Sequence, residues 1–402
     1  MKIATIALFL LFTRVSVVSA SGSSFTLDDF ISQAKEQSLE FKVEESKNDA
    51  AQEKSIGISL PPPMLGVNKM KMNDGSNETA NGIEISQTIP FPTKIYSDYK
   101  MRQLEASSAD ETFKSKKLEL IAQIKNLYLE YWQIFESKKT MQEKKMILKE
   151  HLKLAQAAVR SDTSMKVHFL KAEADADQLE SELLKTEHDF LNTQFKINSF
   201  LNRDPETEVG DPVEPLRSKI PKNVSFENHT LKAMAFEAQA YKSKESYAKS
   251  SWLPDFTFRY KDMSGTSTWP KNSELMVSID LPFLYFWEPD SQVKSARAES
   301  LQAELNLRKA NTQQRGEVSH LKLEAESLEK QIDLLEKKLL PNAQKRMALI
   351  HNIAPRDMES LQDHRETMEL VPDLKKKRVD LIAQYEKIVS QLALYSTEDS
   401  HE

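Results

Sequence analysis

The side chains that could bind a metal ion are scattered along the sequence. The eight histidines have no paired spacing with cysteine or with a helical glutamate, and the chain contains no cysteine. A zinc site needs such spacing, so we expect the histidines to be solvated residues of helices. Met64, Met70 and Met72 lie close together and could offer soft thioether ligands to copper. Packing is the better interpretation, because methionine fills irregular spaces anywhere in a protein.

No motif typical of an enzyme is present. The sequence contains no glycine-rich phosphate loop, no nucleophile elbow and no paired-carboxylate signature. It therefore predicts no catalytic residue, no cofactor and no resident metal ion. The formal net charge is −6, and positive and negative residues are interspersed. This pattern gives no general attraction to nucleic acid, so we expect no nucleic-acid partner.

Acidic residues cluster late in the chain, in the segment "NIAPRDMESLQDHRE", at Asp357, Glu359 and Asp363. A ring of such carboxylates, contributed by several copies of the chain, would attract cations and repel anions. Acidic residues near the start of a helix also stabilise it by interacting with its positive end. For any single residue this ordinary interpretation is the stronger one.

The N-terminus predicts an export signal. Lys2 is followed by a mostly apolar stretch over residues 3–12, and Val18, Ser19 and Ala20 are small residues suited to cleavage. We expect residues 1–20 to be a signal peptide. The remainder contains no apolar run of the ~18 residues that a membrane-spanning helix requires. A membrane crossing would therefore have to use strands.

The rest of the chain is an internal repeat. Pro90 and Phe91 recur 192 residues later as Pro282 and Phe283. Each half has the same predicted order: a short helix, two strands and two very long helices. We expect one repeat over 21–210, a second over 211–395 and a polar tail over 396–402. Proline is tolerated at the end of a strand, so both Pro–Phe pairs are predicted strand–helix junctions.

Hydrophobic periodicity places these elements along the chain. An apolar spacing of alternating three and four residues, typical of coiled coils, runs through 120–159 and 371–392. A helix of about 60 residues at ~1.5 Å per residue would be ~90 Å long. Pro341 and Pro372 lie inside predicted helices and should bend them. The short helices are predicted at 27–58 and 227–251, the strands at 64–72, 82–89, 255–261 and 275–281, and the helix reversals at 161–167 and 352–358.

Three segments together resemble a known family: "SWLPDFTFRY" entering the third strand, "VSIDLPFLYFW" leaving the fourth, and "SFLNRDPE" closing the first half. They resemble the outer-membrane efflux proteins, the TolC-like exit ducts of Gram-negative bacteria. The pair "ISQTIPFPTK" and "DLPFLYFW" is also similar to the branch that exports metal ions. The resemblance implies a mostly α fold with a small β part. Each protomer would contribute four strands to a trimeric 12-stranded transmembrane β-barrel, and its helices to a long coiled-coil tunnel.

The resemblance also implies a function. The chain would be the outer-membrane duct of a tripartite efflux or type I secretion system, with most of its length in the periplasm. It would form a homotrimer in outer-membrane lipid and conduct substrate passively from an inner-membrane pump through a periplasmic adaptor (membrane fusion) protein. The alternative is a secreted or periplasmic coiled-coil structural or adaptor protein, for which the strands would be incidental.

In the family, the helix reversals contact the adaptor and acidic residues nearby narrow the tunnel. The resemblance thus implies an aperture gate at Asp357 and Asp363, although Ser360 stands where some members have a second aspartate. The implied adaptor-docking tips are Ser161, Asp162, Thr163, Ser164, Met165 and Lys166 in the first half, and Asn352, Ile353, Ala354, Pro355, Arg356 and Asp357 in the second.

Overall fold

The structure is a computed structural model that describes residues 24–71, 79–161, 166–221, 228–266, 270–350 and 358–395. The predicted signal peptide and polar tail lie outside these residues. The strands are β1 (Met64–Lys71), β2 (Thr79–Ile89), β3 (Phe256–Met263) and β4 (Asn272–Ile279). The helices are α1 (Leu27–Gln37), α2 (Leu39–Ser55), α3 (Pro92–Ser161), α4 (Lys166–Phe200), α5 (His229–Lys249), α6 (Trp287–Leu334), α7 (Leu340–Ile350) and α8 (Met358–Ala393). The predicted fold class, long helices with four strands, is confirmed.

The single helix predicted over 27–58 is two helices. Ser38 separates them in an extended conformation (φ −65°, ψ 131°), and its hydroxyl accepts a hydrogen bond from the Glu40 N–H at 3.3 Å. A serine in this position caps a new helix. The apolar periodicity continues through the break, so the sequence pattern alone predicted one helix.

The four strands form one antiparallel sheet in the order β1-β2-β3-β4. The register places Leu65, Ile85, Tyr260 and Leu275 in one row across it. Within the described residues β1 and β4 are edge strands, each with a single neighbour. The observed strand bounds differ from the predicted ones by no more than a few residues.

The prolines in the long helices have different surroundings. Pro92 is the first residue of α3, a position that proline favours because its missing N–H has no partner there anyway. Pro341 lies in the first turn of α7, directly after a π-helical turn at Leu335–Leu339. Proline removes a backbone donor and crowds the preceding turn, which accounts for the widened turn. Pro372 lies inside α8.

The chain divides into two compact units, each built from segments of both sequence repeats. The first unit comprises the residues through Gln37, Leu127–Leu216 and Leu340–Val379. The second comprises Ser38–Asn126, Arg217–Leu339 and the residues from Asp380 onward, and it contains the whole sheet. The repeats at 21–210 and 211–395 describe the sequence and stay a prediction.

The first unit has an aromatic core. Phe25 and Tyr128 are buried, with ring centroids 5.9 Å apart. The Tyr128 hydroxyl accepts a hydrogen bond from the Val213 N–H at 3.0 Å and lies 2.9 Å from the Phe25 carbonyl oxygen. The predicted seam on α3 continues from here, with Met141 and Leu148 packed against Leu179 of α4.

The second unit buries a corresponding seam on α6. Val318, Leu321, Ala325, Leu328 and Ile332 are all buried, at spacings of three and four residues. Such spacing turns one stripe of a helix toward its partners. The seams predicted from the sequence did not include this stripe, whereas the one through 120–159 does contain buried residues, among them Ile124 and Tyr131.

Candidate functional site

The first strand–helix junction is held by Asp255. Its Oδ1 accepts a hydrogen bond from the Phe91 N–H at 3.0 Å and from the Lys94 ammonium at 2.7 Å. Lys94 is buried, with 8% of its surface exposed, so the carboxylate compensates a charge that has left water. Sequence reasoning found Pro90 and Phe91 but missed both charged residues.

Further contacts tie the same junction to β3 and β4. The Asp280 N–H donates to the Asp255 carbonyl oxygen at 3.1 Å, and the Phe91 and Phe256 rings stack with centroids 6.5 Å apart. Asp255 thus joins the end of β2, the start of β3 and the end of β4. The only local signal was an acidic residue directly after Pro254, at the start of the predicted strand.

The second junction is built differently. Pro282 begins a short 3₁₀ helix, Pro282–Tyr285, and α6 follows from Trp287; the Phe283 side chain lies outside the described part of the structure. Three consecutive aromatic side chains are exposed here: Tyr285 by 62%, Phe286 by 61% and Trp287 by 59%. The Phe286 and Trp287 rings meet edge to face with centroids 5.4 Å apart. A soluble surface rarely carries such an aromatic group without a partner.

The sheet has two chemically different faces, because side chains alternate along each strand. On one face the large apolar residues are exposed; Val67 reaches 82% and Leu275 reaches 73%. This apolar face carries Leu65, Val67, Ile83, Ile85, Ile89, Phe256, Phe258, Tyr260, Leu275, Val277 and Ile279; Gln87 also lies on it, and the polar residues Lys69, Lys71, Thr79, Asn81, Asp262 and Ser273 lie toward its hairpin end.

The opposite, polar face carries a network of hydrogen bonds and charges. Glu84 accepts a hydrogen bond from the Asn68 amide at 2.8 Å and lies 3.0 Å from the Arg259 Nε. The hydroxyls of Thr88 and Thr257 are 2.9 Å apart. Hydrogen bonds and ion pairs therefore join β1, β2 and β3 on one side of the sheet, while the other side is left apolar.

The first predicted helix reversal is supported by antiparallel ion pairs between α3 and α4. Lys138 lies 3.0 Å from Glu187, and Lys145 pairs with Glu180. Partner residues thus become closer in sequence toward the end of the hairpin. Helix α3 ends at Ser161 and α4 begins at Lys166. The four predicted tip residues between them, Asp162, Thr163, Ser164 and Met165, lie outside the described residues.

The second predicted reversal lies between the end of α7 at Ile350 and the start of α8 at Met358. The predicted tip residues Asn352, Ile353, Ala354, Pro355, Arg356 and Asp357 all lie outside the described residues. Asp363 is described, and its side chain is exposed near the start of α8. The docking and gate assignments stay predictions.

Near Asp363, an ion-pair cluster joins α4 and α8 in the first unit. The Arg365 guanidinium donates to Asp175 at 2.6 Å and to Glu369 at 2.8 Å. Beside it, His151 of α3 is buried with 7% of its surface exposed. The expectation of solvated histidines was wrong for this residue. Burial, then the positive charges of Arg365 and His364, lower the pKa of His151 to about 4.

Two further findings concern only the described part of the chain. None of its helices combines the length and apolarity that a membrane span needs. Its histidine, aspartate and glutamate side chains also form no group of three placed to hold a metal ion.

The fold is shared with solved structures of outer-membrane channels. The outer-membrane protein VceC from Vibrio cholerae superposes with a TM-score of 0.75 at 15% identity, over 92% of this chain and 94% of that chain. The CmeC outer-membrane channel of Campylobacter jejuni gives 0.76 at 13% identity, over 98% and 93%. The open-state MtrE channel of Neisseria gonorrhoeae gives 0.75 at 13%, over 92% and 89%. This chain has the TolC-like outer-membrane channel fold.

The sequence resemblance to TolC-like proteins is thereby confirmed as a likeness of fold over nearly the whole chain. No protein-family model and no curated protein matches the sequence. The structural neighbours are channels.

Proposed function

We propose that the protein is an outer-membrane exit duct whose sheet forms part of a closed transmembrane barrel. The apolar face of the sheet is the observation that carries this proposal. Lipid-facing and lumen-facing residues alternate along the strands of such barrels, apolar outward and polar inward. Here Val67, Ile85 and Val277 are at least half exposed on one side, and Glu84 and Arg259 pair on the other. A purely structural coiled-coil protein has no use for that exposed face.

The edges of the sheet require several copies of the chain. In hydrocarbon, every backbone N–H and C=O needs a partner, so a membrane sheet must close. The described sheet has four strands and ends at β1 and β4, whereas the smallest outer-membrane barrels have about eight strands. Two copies of the chain would supply eight strands, and three copies would supply twelve strands. The long helices attached to every strand pair favour the wider barrel, because the helices of each copy need room around the axis.

The exposed aromatic residues of the second junction suit the edge of a bilayer. Tyrosine and tryptophan concentrate where hydrocarbon meets the polar headgroups. Tyr285, Phe286 and Trp287 lie a few residues beyond the end of β4 at Ile279, where a helix that is too polar to enter lipid begins. We assign them to the periplasmic interface.

Matched substitutions on the two faces test the proposal. Aspartate at Ile85 and Val277 would place charge in hydrocarbon, at a cost of up to ~2 kcal/mol per site near the bilayer centre. We expect I85D/V277D to abolish detergent-stable trimers and ion conductance in planar bilayers. The control M276D/S278D changes the two polar-face neighbours of Val277, neither of which is buried, and should preserve both. The proposal of a duct would be refuted if the two variants had the same trimer stability and conductance, or if the wild-type chain were monomeric.

The helix reversals are proposed as the adaptor-docking tips. Support comes from the antiparallel α3–α4 pairing, which directs that hairpin toward 162–165. We propose an adaptor and an inner-membrane pump as the partners, because export against a concentration gradient needs an energy source that a passive duct does not supply. Replacing Thr163–Lys166 and Ala354–Arg356 by Gly/Ser should leave trimers intact and abolish crosslinking to the adaptor and export. Intact trimers with unchanged crosslinking would eliminate the docking role.

Asp363 is proposed as a gate residue at the same end of the helices. Its carboxylate is exposed two residues before Arg365, which holds α8 against α4. Copies of Asp363 around the axis would repel anions. Asp363→Asn should therefore lower the preference for cations over anions in bilayer recordings, while Glu366→Gln on the same helix should not.

A further inference from the structure

The hairpin end of the apolar face carries two lysines on one strand. Lys69 and Lys71 follow Val67 on the same face of β1, because side chains two residues apart point to the same side of a sheet. Both side chains are exposed, and the register places them opposite the uncharged residues Asn81 and Thr79 of β2. The apolar face therefore changes to a cationic surface at this end of β1.

This lysine pair lies just beyond the apolar part of the sheet. Along β2 the apolar residues extend from Ile83 to Ile89, which corresponds to ~20 Å at ~3.4 Å per residue. Lys69 lies one same-face row beyond Ile83, at the end of the sheet remote from the second junction. The apolar band of outer-membrane barrels is ~25 Å tall, and a long lysine side chain extends its charge toward water. In the proposed barrel, the two ammonium groups therefore reach the level of the lipid headgroups.

No carboxylate among the described residues neutralises the lysine pair. Asp262, the one acidic residue described on the same face, pairs with Lys271 at 2.9 Å. It also lies two strands away from β1, which is ~10 Å across the sheet. On the polar face, Lys261 shares a row with Glu84 and Glu274. The other lysines of the sheet thus have acidic neighbours, whereas the pair on β1 presents two positive charges to its surroundings.

The spacing of the lysine pair suits a phosphate group. Residues two apart on a strand are separated by ~7 Å, and two ammonium groups at this separation can donate at ~2.8 Å to different oxygens of one phosphate. Lysines also occur on exposed edge strands, where they prevent aggregation of sheets. In a closed barrel β1 has a neighbour on both sides, so that role does not apply there.

We propose that Lys69 and Lys71 bind the phosphate of a membrane lipid in the leaflet at the hairpin end of the sheet. The ligand class is a phosphomonoester lipid, because such a group carries close to two negative charges and three acceptor oxygens at neutral pH. Its acyl chains would lie along the apolar face below the lysines, beside Leu65 and Val67. That this face contacts lipid rests on the proposed function.

Phosphatidic acid with a fluorophore on one acyl chain is a suitable probe. It is titrated into the full chain in a neutral detergent, and binding is measured by fluorescence polarisation. We expect K69Q/K71Q to weaken binding by at least about tenfold, because each lysine near an anionic headgroup contributes about 1 kcal/mol. K69R/K71R keeps both charges and should bind normally. The matched variant K309Q/K330Q removes two exposed lysines of α6 and should also bind normally.

Two further titrations test the class of ligand. Phosphatidylcholine with the same label has a phosphodiester and a compensating positive charge, so it should bind more weakly than phosphatidic acid and with equal affinity to all variants. Inorganic phosphate in large excess should not displace the labelled phosphatidic acid, because the acyl chains contribute to binding. Displacement by inorganic phosphate would assign the lysines to a free anion and overturn the lipid site.

Unchanged binding of phosphatidic acid to K69Q/K71Q, or an equal loss in K309Q/K330Q, would also overturn the proposal. Potassium conductance of the same proteins in planar bilayers separates this result from the fate of the duct. Conductance without lysine-dependent lipid binding refutes the lipid site and keeps the duct. Lipid binding that depends on the lysine pair, in a protein that conducts nothing, refutes the duct and keeps the site.

Discussion

At the first strand–helix junction, the buried Lys94 pairs with Asp255. The repeat offset places Phe286 at the equivalent position of the second junction, where it is exposed by 61%. Both junctions follow a Pro–Phe pair and both lead into a long helix. One is stabilised by contacts inside the chain, and the other presents aromatic side chains that no described residue of the chain covers.

The difference shows that the two strand–helix junctions depend on their surroundings to different degrees. The first junction can form in any solvent, because its charge and its backbone donor have partners within the protein. The second gains stability only where an apolar or interfacial medium contacts Tyr285 and Trp287. The two junctions thus make the same strand–helix transition in different surroundings.

Removing Asp255 should have the largest effect on stability. Asp255→Ala leaves the Lys94 charge buried without its partner and the Phe91 N–H without its acceptor. We expect the free energy of unfolding to fall by about 3–4 kcal/mol, measured by denaturant titration in detergent. Glu304→Ala, which breaks the exposed pair with Arg308 on α6, should cause no measurable change. Equal stability of the two variants would contradict the role of the buried pair.

The second-largest expected effect is a dependence of the free energy of unfolding on pH, which comes from His151. Its pKa is about 4 in the folded chain and ~6.5 when unfolded. Between these values the unfolded chain binds more protons, so stability falls as the pH drops from 6.5 to 4 and is flat below that range. The loss should reach about 2–3 kcal/mol. His151→Gln should remove this part of the pH profile, whereas His320→Gln on an exposed site should keep it; identical profiles would refute the assignment.

The order of elements could be predicted because alternation and seven-residue spacing report which residues face a core. Leu120 and Ile124 of the predicted seam are buried for that reason, and Phe256 and Phe258 share one face of a strand. The pairs that hold the sites could not be predicted. Lys94 and Asp255 are 161 residues apart, and Asp175 and Arg365 are 190 apart. Such contacts depend on tertiary packing, which leaves no periodic signal in a single sequence.

The smallest effect on stability should come from the second junction. Phe286→Ser and Trp287→Ser remove exposed rings, so the free energy of unfolding in detergent should change by no more than about 0.5 kcal/mol. We nevertheless expect membrane insertion to be less efficient. The measurement is the fraction of folded protein found in the membrane after reconstitution, which should be smaller than for the wild-type chain. Leu323→Ser, an exposed residue of α6, is the control and should insert normally. If the junction variants inserted as well as the wild-type chain, the proposal that these aromatic residues lie at the membrane interface would be contradicted.

The central claim is that the two faces of the sheet meet different media, and single cysteines along β3 test it most directly. The chain has no cysteine of its own, so each introduced thiol can be labelled alone in protein reconstituted into vesicles. Cysteines replacing Phe258 and Tyr260 should respond to a quencher confined to lipid. Cysteines replacing Thr257 and Arg259 should react with a water-soluble thiol reagent and escape that quencher. An alternating pattern is the predicted result; equal responses at all four positions, or the reverse alternation, would contradict the account.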